Sequence, residues 1–144
     1  MNLFKIDSKD FNKLENIINQ DDLNKRIDQI NNRELDIYVV EIDNICVGRI
    51  FVNYVNHLLD NETIPNKRVC LSHFFVKDEF RSMGIGSKLL DYTLNELAKY
   101  GYNEFTIGVE DKNETAKHIY FNRGFNEKIN HGSIPTEYDL YLKK

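Results

Sequence analysis

Apolar and polar residues alternate with two different periods along this chain, and each change of period predicts a structural element. A short apolar stretch, residues 3–6, predicts a first strand. Two segments with apolar residues at helical spacing follow, and Asp7 or Ser8 is expected to cap the first of them. The period then becomes that of strands: residues 37–42, the turn Asp43-Asn44 and residues 45–54 predict a β-hairpin.

The second half of the chain alternates predicted strands and helices. Residues 69–76 are an apolar, aromatic run typical of a buried strand, and a long helix is predicted at 84–100, before the stop signal Gly101. The remaining elements are a strand at 104–110, a short helix opened by Asn113, and strands at 125–129 and 138–142. This order predicts an α/β fold with a mixed sheet, in one domain spanning residues 1–144.

Composition and charge argue against several classes of protein. The chain has 144 residues, 29% of them charged, and a net charge of −4, which argues against a general nucleic-acid binder. Cys46 and Cys70 fall inside apolar strand-like runs, so buried thiols are expected. The N-terminus is charged almost at once, and no apolar run approaches the roughly 20 residues that span a bilayer. We therefore expect a cytoplasmic protein without a membrane partner.

The segment between the 69–76 strand and the long helix carries Arg81, Gly84 and Gly86. A glycine-bearing loop at a helix N-terminus presents backbone N–H groups and a favourable dipole to an anion such as phosphate. Taken alone the pattern is weak, and a tight turn is the other interpretation. A dinucleotide fingerprint would need glycine or alanine where Leu89 stands, and a Walker loop would need Gly-Lys-Ser/Thr where Gly86-Ser87-Lys88 stands, so both nucleotide motifs fail.

Together with Asn113, Tyr120 and Gly124-Phe125, this loop resembles the GNAT superfamily of N-acetyltransferases, which use acetyl-coenzyme A. The resemblance is strong over residues 69–125 and only architectural before them. It implies a mostly antiparallel central sheet that splays between two parallel strands, with helices on both faces. It also implies acetyl transfer from acetyl-CoA to a primary amine by direct attack in a ternary complex, without a nucleophilic cysteine and without a metal.

The resemblance assigns roles to individual positions. Backbone N–H groups of residues 82–87 would cradle the coenzyme pyrophosphate, and the 74–76 backbone would pair with the pantetheine arm. Asn113 would bond to the pantetheine region, cap its helix, or do both. Tyr120 would be the catalytic acid that protonates the departing thiolate. The cofactor-binding residues implied in this way are Phe74, Phe75, Val76, Arg81, Ser82, Met83, Gly84, Ile85, Gly86, Ser87 and Asn113.

The general base is open at the level of sequence. Some relatives place glutamate where this chain has Gly108, so N-terminal protein acetylation by that mechanism is in doubt. Glu110 lies on the same face of the predicted strand as Gly108. Other relatives carry a base at the positions of Cys70 and Ser72. His73 is a titratable candidate besides Glu110, but it has the opposite strand parity, and packing in the interior is the favoured interpretation. A chain of water molecules is the remaining alternative.

The acceptor is also open. The acidic chain and the polar loop 55–67 mildly favour a small cationic amine. A protein or peptide amino group and a non-catalytic acyl-CoA-binding regulatory module are the alternatives. Members of the superfamily are often dimers, so the resemblance leaves a homodimer open.

Overall fold

The computed structural model describes residues 1–144 and contains seven strands, three α-helices and two 3₁₀ helices. The strands are β1 (Asn2–Lys5), β2 (Leu35–Ile42), β3 (Ile45–Asn53), β4 (Arg68–Val76), β5 (Glu104–Val109), β6 (Glu127–Gly132) and β7 (Tyr138–Lys143). The α-helices are α1 (Gln20–Asn31), α2 (Ile85–Lys99) and α3 (Glu114–Phe121). The 3₁₀ helices are Ser8–Asn16 and Asp78–Phe80.

The predicted order of elements is confirmed, with three differences of detail. The first helix is 3₁₀ rather than α, although Asp7 caps it as expected, in a reciprocal capping box with Asp10. The strand predicted at 125–129 instead spans Glu127–Gly132. The Asp78–Phe80 turn was not predicted, because three residues carry no measurable period.

The seven strands form one mixed sheet in the order β1-β2-β3-β4-β5-β7-β6. β4 and β5 run parallel, whereas β7 is antiparallel to both β5 and β6. The predicted mixed sheet is therefore confirmed. Pairing of β4 with β5 covers residues 68–71 against 104–107, so the second half of β4 extends beyond the parallel ladder.

The chain divides into two compact units. Unit 1 comprises Met1–Val52 and His73–Glu96, and unit 2 comprises Asn53–Ser72 and Leu97–Lys144. Unit 1 has an apolar core drawn from β2, β3 and the first helical segments, which includes Leu14, Ile37 and Phe51. Burial of these side chains is the main stabilising contribution to that unit.

The turn residues adopt the backbone conformations that their residue types favour. Asp43 and Asn44 both adopt positive φ, +52° and +65°, the conformation of a two-residue hairpin turn. Gly48 marks a close approach rather than a bulge, since an added Cβ would lie 2.9 Å from a methyl of Val40. Gly101 ends α2 at φ +96°, and the amide of Tyr102 bonds back to the carbonyl of Leu97.

None of the helices is both long enough and apolar enough to cross a lipid bilayer.

Candidate active site

In unit 1, the Arg81–Ser87 segment turns from the end of β4 into the N-terminus of α2. Ser82 and Gly84 adopt positive φ, +63° and +75°, and the first helical bond runs from Lys88 N–H to Gly84 O at 3.1 Å. The amides of Ile85, Gly86 and Ser87 therefore precede the helical ladder and have no carbonyl acceptor within the helix. Such a row of donors at the positive end of a helix fits a phosphate group.

Glycine is required in this segment for two different reasons. At Gly84 the reason is the φ of +75°, which side chains disfavour, and the absence of any atom within 4 Å of a Cβ there leaves the space above the backbone open. A Cβ at Gly86 would lie 3.1 Å from the ring of Phe74 and 3.4 Å from a methyl of Val76. Phe74 and Val76 at the end of β4 thus pack directly against the first turn of α2. The end of β4 and the start of α2, about ten residues apart along the chain, are therefore in contact.

Arg81 is engaged with its own surroundings. Its Nε donates to the carbonyl of Val76 at 2.8 Å, and its Nη1 lies 2.6 Å from the Asp78 carboxylate. Its guanidinium also lies over the ring of Phe75, 5.6 Å from the centroid. These contacts hold the Arg81–Ser87 segment to the end of β4, so the backbone of this segment is the surface it offers to a ligand.

His73 departs from the expected packing. Its φ is +53°, so the regular pleat of β4 is interrupted and the parity argument fails from this residue onward. The side chain is exposed rather than interior, and its ring stacks on Phe51 with centroids 4.5 Å apart. Arg49 Nε donates to the His73 carbonyl at 3.2 Å, which satisfies the interrupted backbone. The prediction of a packed interior histidine was therefore wrong.

In unit 2, α3 carries Asn113 at its N-terminus and Tyr120 in its last turn. The Asn113 carboxamide accepts from the Ala116 amide at 3.1 Å, so the helix-cap role is confirmed. Tyr120 is 6% exposed and meets Phe125 edge-to-face at 6.1 Å. Burial raises the pKa of its phenol well above the ordinary value, and the group stays protonated at neutral pH.

Unit 2 also contains a cleft of about 240 Å³, which we call the acidic cleft. It lies at the β4 residues Cys70–Ser72, the end of β5 and the β6–β7 connection. Its apolar lining consists of Leu58, Leu71, Ile134, Pro135, Tyr138 and Leu140. Its remaining lining consists of Glu62, Cys70, Ser72, Gly108, Glu110 and Thr136. Two carboxylates and no lysine, arginine or histidine line this cleft.

Glu110 and Gly108 share the cleft wall, as their strand parity predicts. The Thr136 hydroxyl donates to a Glu110 carboxylate oxygen at 2.9 Å and thereby orients it. An added Cβ at Gly108 would lie 3.0 Å from the ring of Tyr138. The tyrosine ring therefore occupies the space into which a side chain at position 108 would project.

Glu62 was not identified from the sequence as a site residue. It stands in the irregular 55–67 loop, where no periodicity distinguishes one carboxylate from another. In the structure it is 5% exposed, and its Oε1 accepts from the His57 amide at 2.7 Å. The length and polarity of the loop indicated a functional segment, but only the folded chain selects Glu62 within it.

Cys70 lines the acidic cleft as a neutral thiol. Burial raises its pKa to about 12, and burial likewise raises the pKa of Cys46 to about 11. Both cysteines are free and buried, as the sequence predicts. A thiol that stays protonated is a poor nucleophile.

The β6–β7 hairpin, which supplies one wall of the acidic cleft, is closed by a charged cluster. His131 Nδ1 lies 2.8 Å from the Asp139 carboxylate, and its Nε2 contacts the Glu137 carboxylate. Lys128 Nζ lies 3.3 Å from the same Asp139 oxygen. Hydrogen bonds to Asp139 and then Glu137 raise the pKa of His131 above its ordinary value.

Comparison with solved structures finds many chains of this fold. An aminoglycoside 6'-acetyltransferase type Ii has a TM-score of 0.77 at 15% identity, covering 100% of this chain and 97% of that one. A GNAT acetyltransferase from Staphylococcus aureus Mu50 has a TM-score of 0.69 at 21% identity, covering 99% and 97%. A GNAT acetyltransferase from Elizabethkingia anophelis, solved with acetyl-CoA bound, has a TM-score of 0.72 at 12% identity, covering 99% and 97%. No curated protein sequence matches the chain significantly.

The family comparison rests on the sequence itself. The model of the acetyltransferase (GNAT) family matches residues 1–125, which include β1 to β5, the Arg81–Ser87 segment and α3. The match extends over the first 68 residues, where the resemblance read from motifs was only architectural. The chain therefore belongs to the acetyltransferase (GNAT) family, in the acyltransferase class of enzymes.

Proposed function

We propose that this protein transfers an acetyl group from acetyl-CoA to a primary amine of a small molecule bound in the acidic cleft. The observation that carries the choice of acceptor is the lining of the cleft, with two carboxylates and no cationic side chain. An ammonium group is attracted to such a surface, whereas a carboxylate or phosphate acceptor is repelled.

Acetyl-CoA supplies the activated acyl group, and the Arg81–Ser87 segment has the features that its pyrophosphate needs. Three amides at the start of α2 lack helical acceptors, and no atom lies within 4 Å of the Cβ position at Gly84. Neutral backbone donors suffice for this role, so the net charge of −4 is no obstacle. Residues Phe74 to Val76 would offer their backbone to the pantetheine arm, beyond the last β4–β5 pair.

Tyr120 is proposed as the hydrogen-bond and proton donor to the departing sulfur. The amine nitrogen attacks the thioester carbonyl, a C–N bond forms, the C–S bond breaks, and the thiolate takes up a proton. Since burial raises the pKa of the phenol, Tyr120 carries its proton at neutral pH and is a weaker acid than a free thiol. Its contribution is therefore greatest as a hydrogen bond that strengthens as negative charge develops on sulfur.

Glu110 is proposed as the group that takes the proton from the acceptor amine. It lines the acidic cleft, it is exposed to solvent, and Thr136 orients it. His73, the other titratable candidate, is not among the residues that line this cleft. The Glu110 carboxylate can pass the proton on to bulk water.

The test is a thiol-release assay with acetyl-CoA and a panel of acceptors. The panel contains alkyl amines, polyamines, aminoglycosides, amino acids and peptides with free N-termini. Turnover of small amines above that of peptides is the expected result. Preference for the peptides would reassign the acceptor to proteins. Binding of acetyl-CoA by calorimetry without turnover of any acceptor would overturn the enzymatic proposal in favour of a regulatory module.

A further inference from the structure

The acidic cleft has more negative charge than a single ammonium group neutralises. Glu62 and Glu110 both line it, and no cationic side chain lies among its lining residues. Two carboxylates that line one cleft repel each other unless cations compensate them. An acceptor with one amino group compensates one of them, and an acceptor with two compensates both.

The 55–67 loop holds Glu62 in a fixed position. The Thr106 hydroxyl donates to the Glu62 carbonyl at 2.8 Å, and Arg68 Nη1 donates to the carbonyl of Asn61 at 2.9 Å. Arg68 is itself paired with Glu104 of β5 at 2.7 Å. These contacts attach the loop backbone to the sheet on both sides of the Glu62 side chain.

The Glu62 side chain is oriented as well. The His57 amide donates to its Oε1, and the His57 ring is within hydrogen-bond distance of Asn53, at 3.2 Å. Asn53 in turn donates to the carbonyl of Cys70 on β4. A carboxylate that is buried and preorganised in this way loses little conformational entropy when it binds a cation.

One wall of the cleft fits an aliphatic chain. Its apolar wall includes Leu58, Ile134 and Pro135, and none of these side chains offers a hydrogen bond to a polyhydroxylated acceptor. The cleft volume of about 240 Å³ leaves ample room for a short diamine.

We propose that Glu62 is a specificity-determining residue that binds the non-reacting ammonium group of a compact aliphatic diamine, while the other amino group faces Glu110. This inference rests on the proposed function and names the class of its acceptor. Both amino groups arrive protonated, because alkyl amines have pKa values of about 10. The reacting amine gives up one proton before attack, and the distal one keeps its charge and its bond to Glu62.

Product release follows from the same arrangement. The acetylated nitrogen becomes a neutral amide, so the product has one positive charge where the substrate had two. The product is therefore held less strongly by the two carboxylates than the substrate is.

The experiment compares three five-carbon acceptors that differ only at the distal end: cadaverine, the corresponding amino alcohol and pentylamine. With the wild-type protein we expect kcat/KM for cadaverine to exceed that for the other two by about tenfold or more, the size of a charge-assisted hydrogen bond. This comparison needs no variant. Equal values for the three acceptors would overturn the assignment of the acceptor class.

The variant Glu62→Gln tests whether Glu62 causes the preference for cadaverine. Its amide oxygen can still accept from the His57 amide, so the loop is expected to fold, which thermal unfolding and acetyl-CoA calorimetry would check. We expect its KM for cadaverine to rise about tenfold or more with little change in kcat, and its KM for pentylamine to change less than about twofold. An equal rise for all three acceptors would overturn the specificity role.

The matched control is Glu127→Gln, an exposed glutamate of β6 in the same unit that does not line the cleft. It removes the same charge and is expected to leave every KM unchanged. If no amine in the series turns over, the proposed function fails. If amines turn over without preference for the diamine, only the diamine inference fails.

Discussion

Tyr120 lies in the last turn of α3, where its ring packs edge-on against Phe125. At the scale of this residue, burial rather than a neighbouring charge determines the acid–base behaviour, since it is the cause of the raised pKa. The apolar packing of the ring and the chemistry of the hydroxyl can therefore be separated by substitution.

Tyr120→Phe is expected to lower kcat by about 10- to 1000-fold, because it removes the hydroxyl that we propose stabilises the departing sulfur. The ring contact with Phe125 is kept, so the affinity for acetyl-CoA and the midpoint of thermal unfolding are expected to change little. Steady-state kinetics and calorimetry measure the two effects. Tyr102→Phe, in the same unit and outside the cleft lining, is the control. An unchanged kcat would remove Tyr120 from the proposed role.

At the scale of elements, the junction of β4 and α2 combines a strained turn with an open surface. Gly84 has φ +75° and Gly101, at the other end of α2, has φ +96°. An added Cβ meets no atom within 4 Å at either glycine. Both ends of α2 therefore need a residue that tolerates positive φ, and only the Gly84 end is proposed to bind a ligand.

Gly84→Ala and Gly101→Ala are each expected to cost about 1–2 kcal/mol of stability, because a Cβ is disfavoured at positive φ. Thermal unfolding measures this cost. Only Gly84→Ala is expected to weaken coenzyme A binding, by about tenfold or more, since its methyl group would hold a phosphate away from the amides. Equal affinities of the two variants in calorimetry would argue against a pyrophosphate site here.

The β6–β7 hairpin contains a contact that depends on pH. His131 faces Asp139 of β7 and Glu137 of the connection, and Lys128 of β6 also contacts Asp139. Because these carboxylates raise the pKa of His131 in the folded protein, the imidazolium form is bound more favourably than in the unfolded chain. The stabilisation is fully present below about pH 6.5, the unfolded value, and is lost as pH rises through the folded value.

The free energy of unfolding of the wild type is therefore expected to exceed that of His131→Gln at low pH, with a difference that shrinks as pH rises. Denaturant unfolding between about pH 5 and 8 measures it. His118→Gln is the control, since His118 is exposed on α3 and contacts Asn122 rather than a carboxylate. A difference that stays constant with pH would contradict the ion-pair explanation.

At the scale of the whole molecule, the chain has two thiols, one in each compact unit, and both are buried. Burial raises the pKa of Cys46 to about 11 and that of Cys70 to about 12. Neither thiol is ionised at neutral pH, so neither is poised to carry an acetyl group. Direct transfer to the amine is the mechanism that this chemistry favours.

Initial velocities measured against both substrates are expected to give intersecting double-reciprocal lines, as a ternary complex requires. Parallel lines would indicate an acetylated enzyme intermediate instead. In a mixture of the protein with acetyl-CoA alone, mass spectrometry is expected to show no added acetyl group on either cysteine. Cys70→Ser, which keeps a small buried side chain, is expected to retain most of the activity.

Much of the fold was predictable because the relevant signals are local. Periodicity located every strand and α-helix to within a few residues, and the turn at Asp43-Asn44 and the stop at Gly101 follow from residue types. The order of β7 between β5 and β6 was not predictable, since no local pattern encodes which strand a final hairpin joins. The positive φ at His73 was also missed, because the surrounding apolar, aromatic run reads as a continuous strand and gives no local turn signal.

The sequence by itself determined the family and the strand-to-helix turn at Arg81–Ser87, because such a glycine-bearing turn depends on a few consecutive residues. Only the tertiary structure determined which residues line the acidic cleft. The Thr106 hydroxyl donates to the backbone carbonyl of Glu62 across 44 residues, and the Asn130 side chain donates to that of Asn61 across 69 residues. A cavity formed by residues so distant along the chain has no periodicity to reveal it, because its chemistry arises only when the backbone brings them together.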